Sequence, residues 1–112
     1  MVEFTFRPAE LGDMEKIFKL SNDKLVRDNS IHPADIGFGD HVNWFNRVLS
    51  DEKMIILVIE KDAQFVGQVK FEIDGHQAII SLSLVSSQRG RGVGSMVIRE
   101  AVNYLKRTFV KM

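Results

Sequence analysis

Phe4-Thr5-Phe6 alternates apolar and polar positions as a strand does, and the pattern stops at Arg7-Pro8, where proline withholds a ladder donor. A short edge strand is expected there. Behind Asp13, whose carboxylate suits a helix start, Met14, Ile17, Phe18 and Leu25 fall at helical spacing, which predicts a first helix from Asp13 to Leu25. Asn29, Ser30, Pro33, Gly37 and Gly39 then read as a loop, of a length that is often functional in a small domain. Asp40 is expected to cap a second helix that carries Val42, Phe45, Val48 and Leu49.

Met54 to Ile59 is an unbroken apolar run rich in β-branched residues, the pattern of a strand covered on both faces. Glu60 to Ala63 turns the chain. In the next strand Phe65, Gly67, Val69, Phe71 and Ile73 alternate with Gln64, Val66, Gln68, Lys70 and Glu72, and Asp74-Gly75 supplies a hairpin turn into Ala78 to Val85. After 86–94 a third helix sets Val97, Ala101 and Leu105 beside Ile98 and Val102, a wide stripe for packing on a sheet. Phe109-Val110 begins a further element. The order β-α-α-β-β-β-α predicts a mixed α/β fold of α+β type, with a mainly antiparallel sheet flanked by helices.

Composition sets limits on this picture. At 112 residues and 45% hydrophobic, the chain suits one domain over 1–112. Neither a spanning segment nor a signal peptide is visible, so a cytoplasmic protein without a membrane partner is expected. Cysteine is absent, and His32 and His76 lack carboxylates at ligand spacing, so no metal site is expected. The 15 basic and 15 acidic side chains cancel, which argues against a nucleic-acid partner and leaves any anion to a local site.

One segment has the makings of such a site. The strand Ile79 to Val85 leads through Ser86-Ser87-Gln88 into Arg89-Gly90-Arg91-Gly92-Val93-Gly94 and then directly into a helix. The first turn of a helix offers N–H groups and partial positive charge, and glycines let a phosphate approach the backbone. A dinucleotide fingerprint starting at Gly90 needs glycine where Ser95 stands, and a nucleotide P-loop needs lysine after Gly94. Both fail. Arg-x-x-Gly-x-Gly, read at Arg89, Gly92 and Gly94, does fit, and here the sequence resembles the GNAT superfamily of N-acetyltransferases, whose acetyl-CoA pyrophosphate loop has this form. Phe6-Arg7-Pro8-Ala9 with Asp13 resembles that superfamily's opening, and Phe65-Val66-Gly67 its third strand. Val26-Arg27, Ser30, His41-x-x-Trp44-Phe45 and Gly67-Gln68 are similar to the members that acetylate nucleotide-linked amino sugars in nonulosonic acid or spore-coat polysaccharide pathways.

The resemblance implies acetyl-CoA as co-substrate, no metal, and direct attack on the thioester by a small-molecule amine, narrowed by the second likeness to an amino sugar nucleotide. Pantetheine would lie along the fourth strand at Leu82, Leu84 and Val85. A backbone N–H of Leu84 or Val85 would polarise the thioester oxygen. The amides of Gly90, Arg91, Gly92, Val93, Gly94 and Ser95, helped by the Arg89 and Arg91 side chains, would hold pyrophosphate. Glu72 is a general-base candidate or else a solvated strand carboxylate, and His41 is either a second base candidate or a packing partner of Trp44. Ser81 and Ser83 share a face that could meet the acceptor. Superfamily members continue past the third helix with a fifth strand, a fourth helix and a hairpin, so the chain reads as truncated at Met112. The apolar fourth strand is then an open edge, which predicts a homodimer. The rival is a non-catalytic CoA-binding or protein-interaction domain.

Overall fold

The computed structural model describes residues 4–22, 37–88 and 92–108. Strand β1 (Thr5–Pro8) leads through a 3-10 turn (Leu11–Asp13) into helix α1 (Met14–Ser21), and helix α2 covers Phe38–Leu49. Strands β2 (Met54–Lys61), β3 (Gln64–Asp74) and β4 (Gln77–Leu84) follow, then a second 3-10 turn (Ser86–Gln88) and helix α3 (Gly94–Thr108). The four strands form one antiparallel sheet in the order β1-β2-β3-β4. This is the mixed α/β fold that the hydrophobic pattern predicts, with β1 at an edge. The stretch predicted to end the first helix at Leu25, together with Val26, Arg27, Ser30, His32 and Pro33, lies outside the described residues, as do Phe109-Val110 and Met112.

The central strand β2 is buried on both faces because its odd and even residues enter different cores. Leu57 and Ile59 join Val66, Val69, Phe71, Val97 and Ala101 under α3. Ile56 and Val58 join Ile17, Phe45 and Val48 under α1 and α2. Helix α3 therefore covers one face of the sheet, and α1 with α2 covers the other.

Several local expectations give way. Phe65 and Val66 exchange the faces that simple alternation assigns them, since Phe65 packs in the α1/α2 core and Val66 in the α3 core. The cause is a bulge: Glu60 pairs Phe65 while the adjacent Ile59 pairs Gly67, and the extra residue shifts the phase of the strand. The turn before β3 is only Asp62-Ala63, both at positive φ (54° and 64°), as a two-residue hairpin of the I′ kind requires. The next turn is Gly75-His76 instead of Asp74-Gly75, because Asp74 still pairs Gln77 and only Gly75 has positive φ. Helix α2 begins after Gly37, which leaves Asp40 inside its first turn instead of at its cap.

Asp13 also does something other than cap α1. Its carboxylate accepts two bonds from the Arg7 guanidinium, at 2.8 and 2.7 Å, and one from the Glu10 N–H at 2.8 Å. That clamp ties β1 to the start of α1, and the Arg7 bonds hold the Asp13 carboxyl below its ordinary pKa.

Candidate active site

The hairpin from β3 to β4 sets the directions of the β4 backbone. A two-residue turn makes Asp74 and Gln77 a hydrogen-bonded pair, and such pairs recur at every second position of an antiparallel ladder. Residues 77, 79, 81, 83 and 85 thus turn their N–H groups toward β3, and the Val85 N–H donates to the Val66 carbonyl at 2.9 Å. This corrects the expectation for Val85, whose amide is consumed by the sheet and has none to offer a thioester. The backbones of Leu82 and Leu84 face the other way, toward the outer edge of β4, and among the described residues no strand pairs along that edge.

Helix α3 starts against the same strand. A Cβ on Gly94 would lie 3.8 Å from Leu82 Cδ2, and Val93, Met96, Leu82, Leu84 and Val85 all pack on the α3 core. The first helical bond runs from the Val97 N–H to the Val93 carbonyl at 2.9 Å, so the amides of Gly94, Ser95 and Met96 precede the helical ladder and point out of its N-terminus. Just before them Gly92 holds φ +69°, a conformation that suits glycine, and a Cβ there would meet open space. Leu82, Leu84, Val85, Gly92, Val93, Gly94 and Ser95 are thereby brought to one corner of the fold. Arg89, Gly90 and Arg91 lie outside the described residues.

Gly67 fixes the spacing of this corner. It pairs with Leu84, and a Cβ on it would fall 2.4 Å from the Ser83 carbonyl oxygen and 2.9 Å from Leu84 Cδ2. No other residue permits so close an approach of β3 to β4 at the bulge.

The catalytic candidates do not gather there. Glu72 is exposed and level with Ile79, five residues or about 17 Å along the strand from Leu84. Only intervening solvent could connect it with that corner. His41 is 2% exposed, its ring centroid 5.2 Å from that of Phe18, 5.6 Å from Trp44 and 5.8 Å from Phe45. The ring bonds the Met14 backbone, and burial pushes its pKa down. Enclosed among these rings, it packs between α1 and α2 and presents no surface from which to take a proton. Ser83 and Ser81 pair with Gln68 and Lys70 and share the α1/α2 face with them.

Two residues of that face escaped the sequence reading as functional groups. Gln68 is buried at 8% exposure, and its side-chain Oε1 meets no hydrogen-bond partner. Lys70 places its ammonium 5.5 Å from the centre of the Trp44 ring. Lys70 is marked in the sequence only by membership of the polar set on β3, which exposed residues share, while Gln68 also belongs to the Gly67-Gln68 pair that carries the amino-sugar likeness.

In sequence, residues 3–111 match the family model of the acetyltransferase (GNAT) domain. The chain belongs to the GNAT domain family. Among solved structures it is similar to the spermidine N-acetyltransferase from Vibrio cholerae in complex with CoA and spermine, with a TM-score of 0.78 and 22% identity over 95% of this chain and 65% of that one. A spermidine/spermine N-acetyltransferase from the same organism, in complex with manganese ions, gives a TM-score of 0.73 and 22% identity over 96% of this chain and 63% of that one. A transcriptional regulator from Bacillus halodurans C-125 gives 0.64 and 22% over 94% of this chain and 75% of that one. The chain thus spans slightly less than two thirds of the two acetyltransferases. No curated protein matches it in sequence. In this GNAT domain the start of α3 at Gly94 lies against Leu82 of β4.

Proposed function

We propose that this domain transfers an acetyl group from acetyl-CoA to a small primary amine. The observation that carries the reading is the corner where the outward edge of β4 at Leu82 and Leu84 runs into the Gly92-led N-terminus of α3. Pyrophosphate would sit on the amides of Gly92 to Ser95, where the helix end supplies donors and positive potential, and pantetheine would follow the edge of β4. The amine nitrogen attacks the thioester carbonyl carbon, the carbonyl oxygen takes the negative charge, and the C–S bond then breaks. CoA leaves as thiolate and the amide is left after the nitrogen loses its proton. As the family resemblance implies, the backbone at Leu84 would face the developing oxyanion.

Calorimetry with acetyl-CoA tests this reading. Wild type should bind and Gly92→Glu should bind at least ten-fold more weakly, because the new carboxylate occupies the pyrophosphate position. Equal binding by the two would overturn the assignment of the loop. Thiol release across a panel of amines then separates a transferase from a domain that binds CoA without turnover, the rival to which the likeness to a transcriptional regulator lends some support.

For the acceptor, the named activity of the Vibrio cholerae neighbours makes a polyamine the first class to assay. The ammonium of Lys70 over Trp44 favours a second class, an amine that also carries negative charge, such as a nucleotide-linked amino sugar. Faster turnover of spermidine than of a UDP-linked amino sugar would decide for the first. We also propose that two copies meet along β4, where Ile79 is 59% and Ile80 39% exposed, and that CoA competes for this edge. Sedimentation with and without CoA would detect that competition, and a monomer at every concentration would overturn it.

A further inference from the structure

We infer that Gln68 binds the acceptor amine, its side-chain carbonyl taking a hydrogen bond from the amino group that attacks the thioester. The inference rests on the acetyltransferase reading and adds to it a residue and a direction of approach.

The starting observation is an orphan. Buried polar atoms in folded proteins nearly always have partners, and one without is explained by a ligand, a water or a functional demand. Among the described residues the unpartnered buried side-chain atoms are His41 Nε2, Gln68 Oε1 and Glu100 Oε2. The Glu100 carboxylate lies on α3, on the far side of the sheet from α1 and α2. His41 is held by Phe18, Trp44 and Phe45. Gln68 differs from both in its register. It pairs with Ser83, one step of about 3.4 Å from the Gly67–Leu84 pair that marks the thioester level.

Its face is the second argument. Gln68 lies opposite Val58, a member of the α1/α2 core, so its side chain projects to that side of the sheet. Helix α3 covers the other face and brings the cofactor loop with it. On the α1/α2 side of the β4 edge Gln68 and Ser83 stand next to each other, so an amine that approaches the carbonyl carbon from the side opposite α3 arrives beside Gln68. The chemistry matches too. The atom left without a partner is a carbonyl oxygen, which only accepts, and the incoming group is an amine, which donates. A neutral acceptor holds the nitrogen without fixing it as an ammonium, so the lone pair remains open for attack.

The test uses Gln68→Leu and Gln68→Met, which keep the volume and remove the oxygen, and Gln68→Glu, which keeps an acceptor. Both apolar variants should raise the KM for the best amine of the panel at least ten-fold, leave acetyl-CoA affinity unchanged, and melt at the wild-type temperature or above, since an unsatisfied oxygen has been replaced. Gln68→Glu should restore amine binding to within about three-fold of wild type. Wild-type KM in Gln68→Leu or Gln68→Met overturns the inference. So does a raised KM accompanied by equal losses of melting temperature and acetyl-CoA affinity, which would assign Gln68 to packing. If wild type binds acetyl-CoA but acetylates no amine, the transferase reading itself fails and the acceptor role falls with it.

Discussion

On the face of the sheet covered by α3, Leu57, Ile59, Val66, Val69, Phe71, Val97 and Ala101 close the larger core, and α3 also carries Glu100, whose Oε2 is buried without a partner. On the opposite face, Ile17, Phe45, Val48, Ile56 and Val58 form a smaller core, and it is flanked by the buried polar groups His41 and Gln68. The difference separates two jobs. The larger core sets β4 against the start of α3, the corner proposed for the cofactor, and Gly67 is the position where a side chain would push the two strands there apart. The other face keeps His41 Nε2 and Gln68 Oε1 without partners, and in the role proposed above the second of these meets the acceptor.

The largest effects are expected in the two cores. Phe45→Ala and Phe71→Ala each remove a ring that is at most 1% exposed, and each should cost about 3–5 kcal/mol in chemical denaturation. A far smaller loss for Phe45 would mean that the α1/α2 face is a loose cover and not a wall. Gly67→Ala comes next, at about 1–3 kcal/mol, because its methyl group meets a backbone oxygen that cannot swing aside. It should also weaken acetyl-CoA binding, while a substitution of equal cost in the α1/α2 core should not. Arg7→Ala strands a carboxylate whose side chain is 7% exposed and should cost about 2 kcal/mol near neutral pH. Since the clamp lowers the folded pKa of Asp13, that stability is present above the unfolded value of about 3.9 and disappears as pH falls through the folded one. Melting curves of wild type and Arg7→Ala should converge in strong acid.

The smallest effect is the most specific to the α1/α2 face. Burial lowers the pKa of His41, so as pH falls the unfolded chain takes up its proton first, near 6.5, and the native state loses stability. Wild type should therefore melt lower at pH 5.5 than at pH 7.5, and His41→Phe should flatten that slope. An unchanged slope would place the titration elsewhere.

How far the sequence reveals these two faces depends on the signal each one leaves. The unbroken apolar run of β2, the alternation of β3 and the helical spacing of α3 are strong signals, because each strand or helix must offer apolar residues to a core, and the proposed cofactor corner carries a glycine motif that few other purposes explain. The bulge at Val66 is silent, since Phe65-Val66-Gly67 reads as smooth alternation until the register of β2 is known. Ala63 at φ 64° hides a hairpin turn, because alanine is not a turn residue and tertiary context overrides its preference. Glu72 and His41 attracted attention through residue type alone. Only pairing register shows that the first is some 17 Å from Leu84, and only packing shows that the second is enclosed. Gln68 enters the sequence reading only within the Gly67-Gln68 likeness and without a role, as nothing in a chain distinguishes a buried orphaned glutamine from a solvated one.

The division of labour between the faces is tested most directly by titrating the isotope-labelled domain with CoA and following its backbone amides by NMR. The account predicts movement of the resonances of Leu82 to Val85 and Gly92 to Val97, with Met14 to Ser21 and Phe38 to Leu49 nearly still. Shifts confined to α1 and α2, or none at saturating CoA, would contradict it.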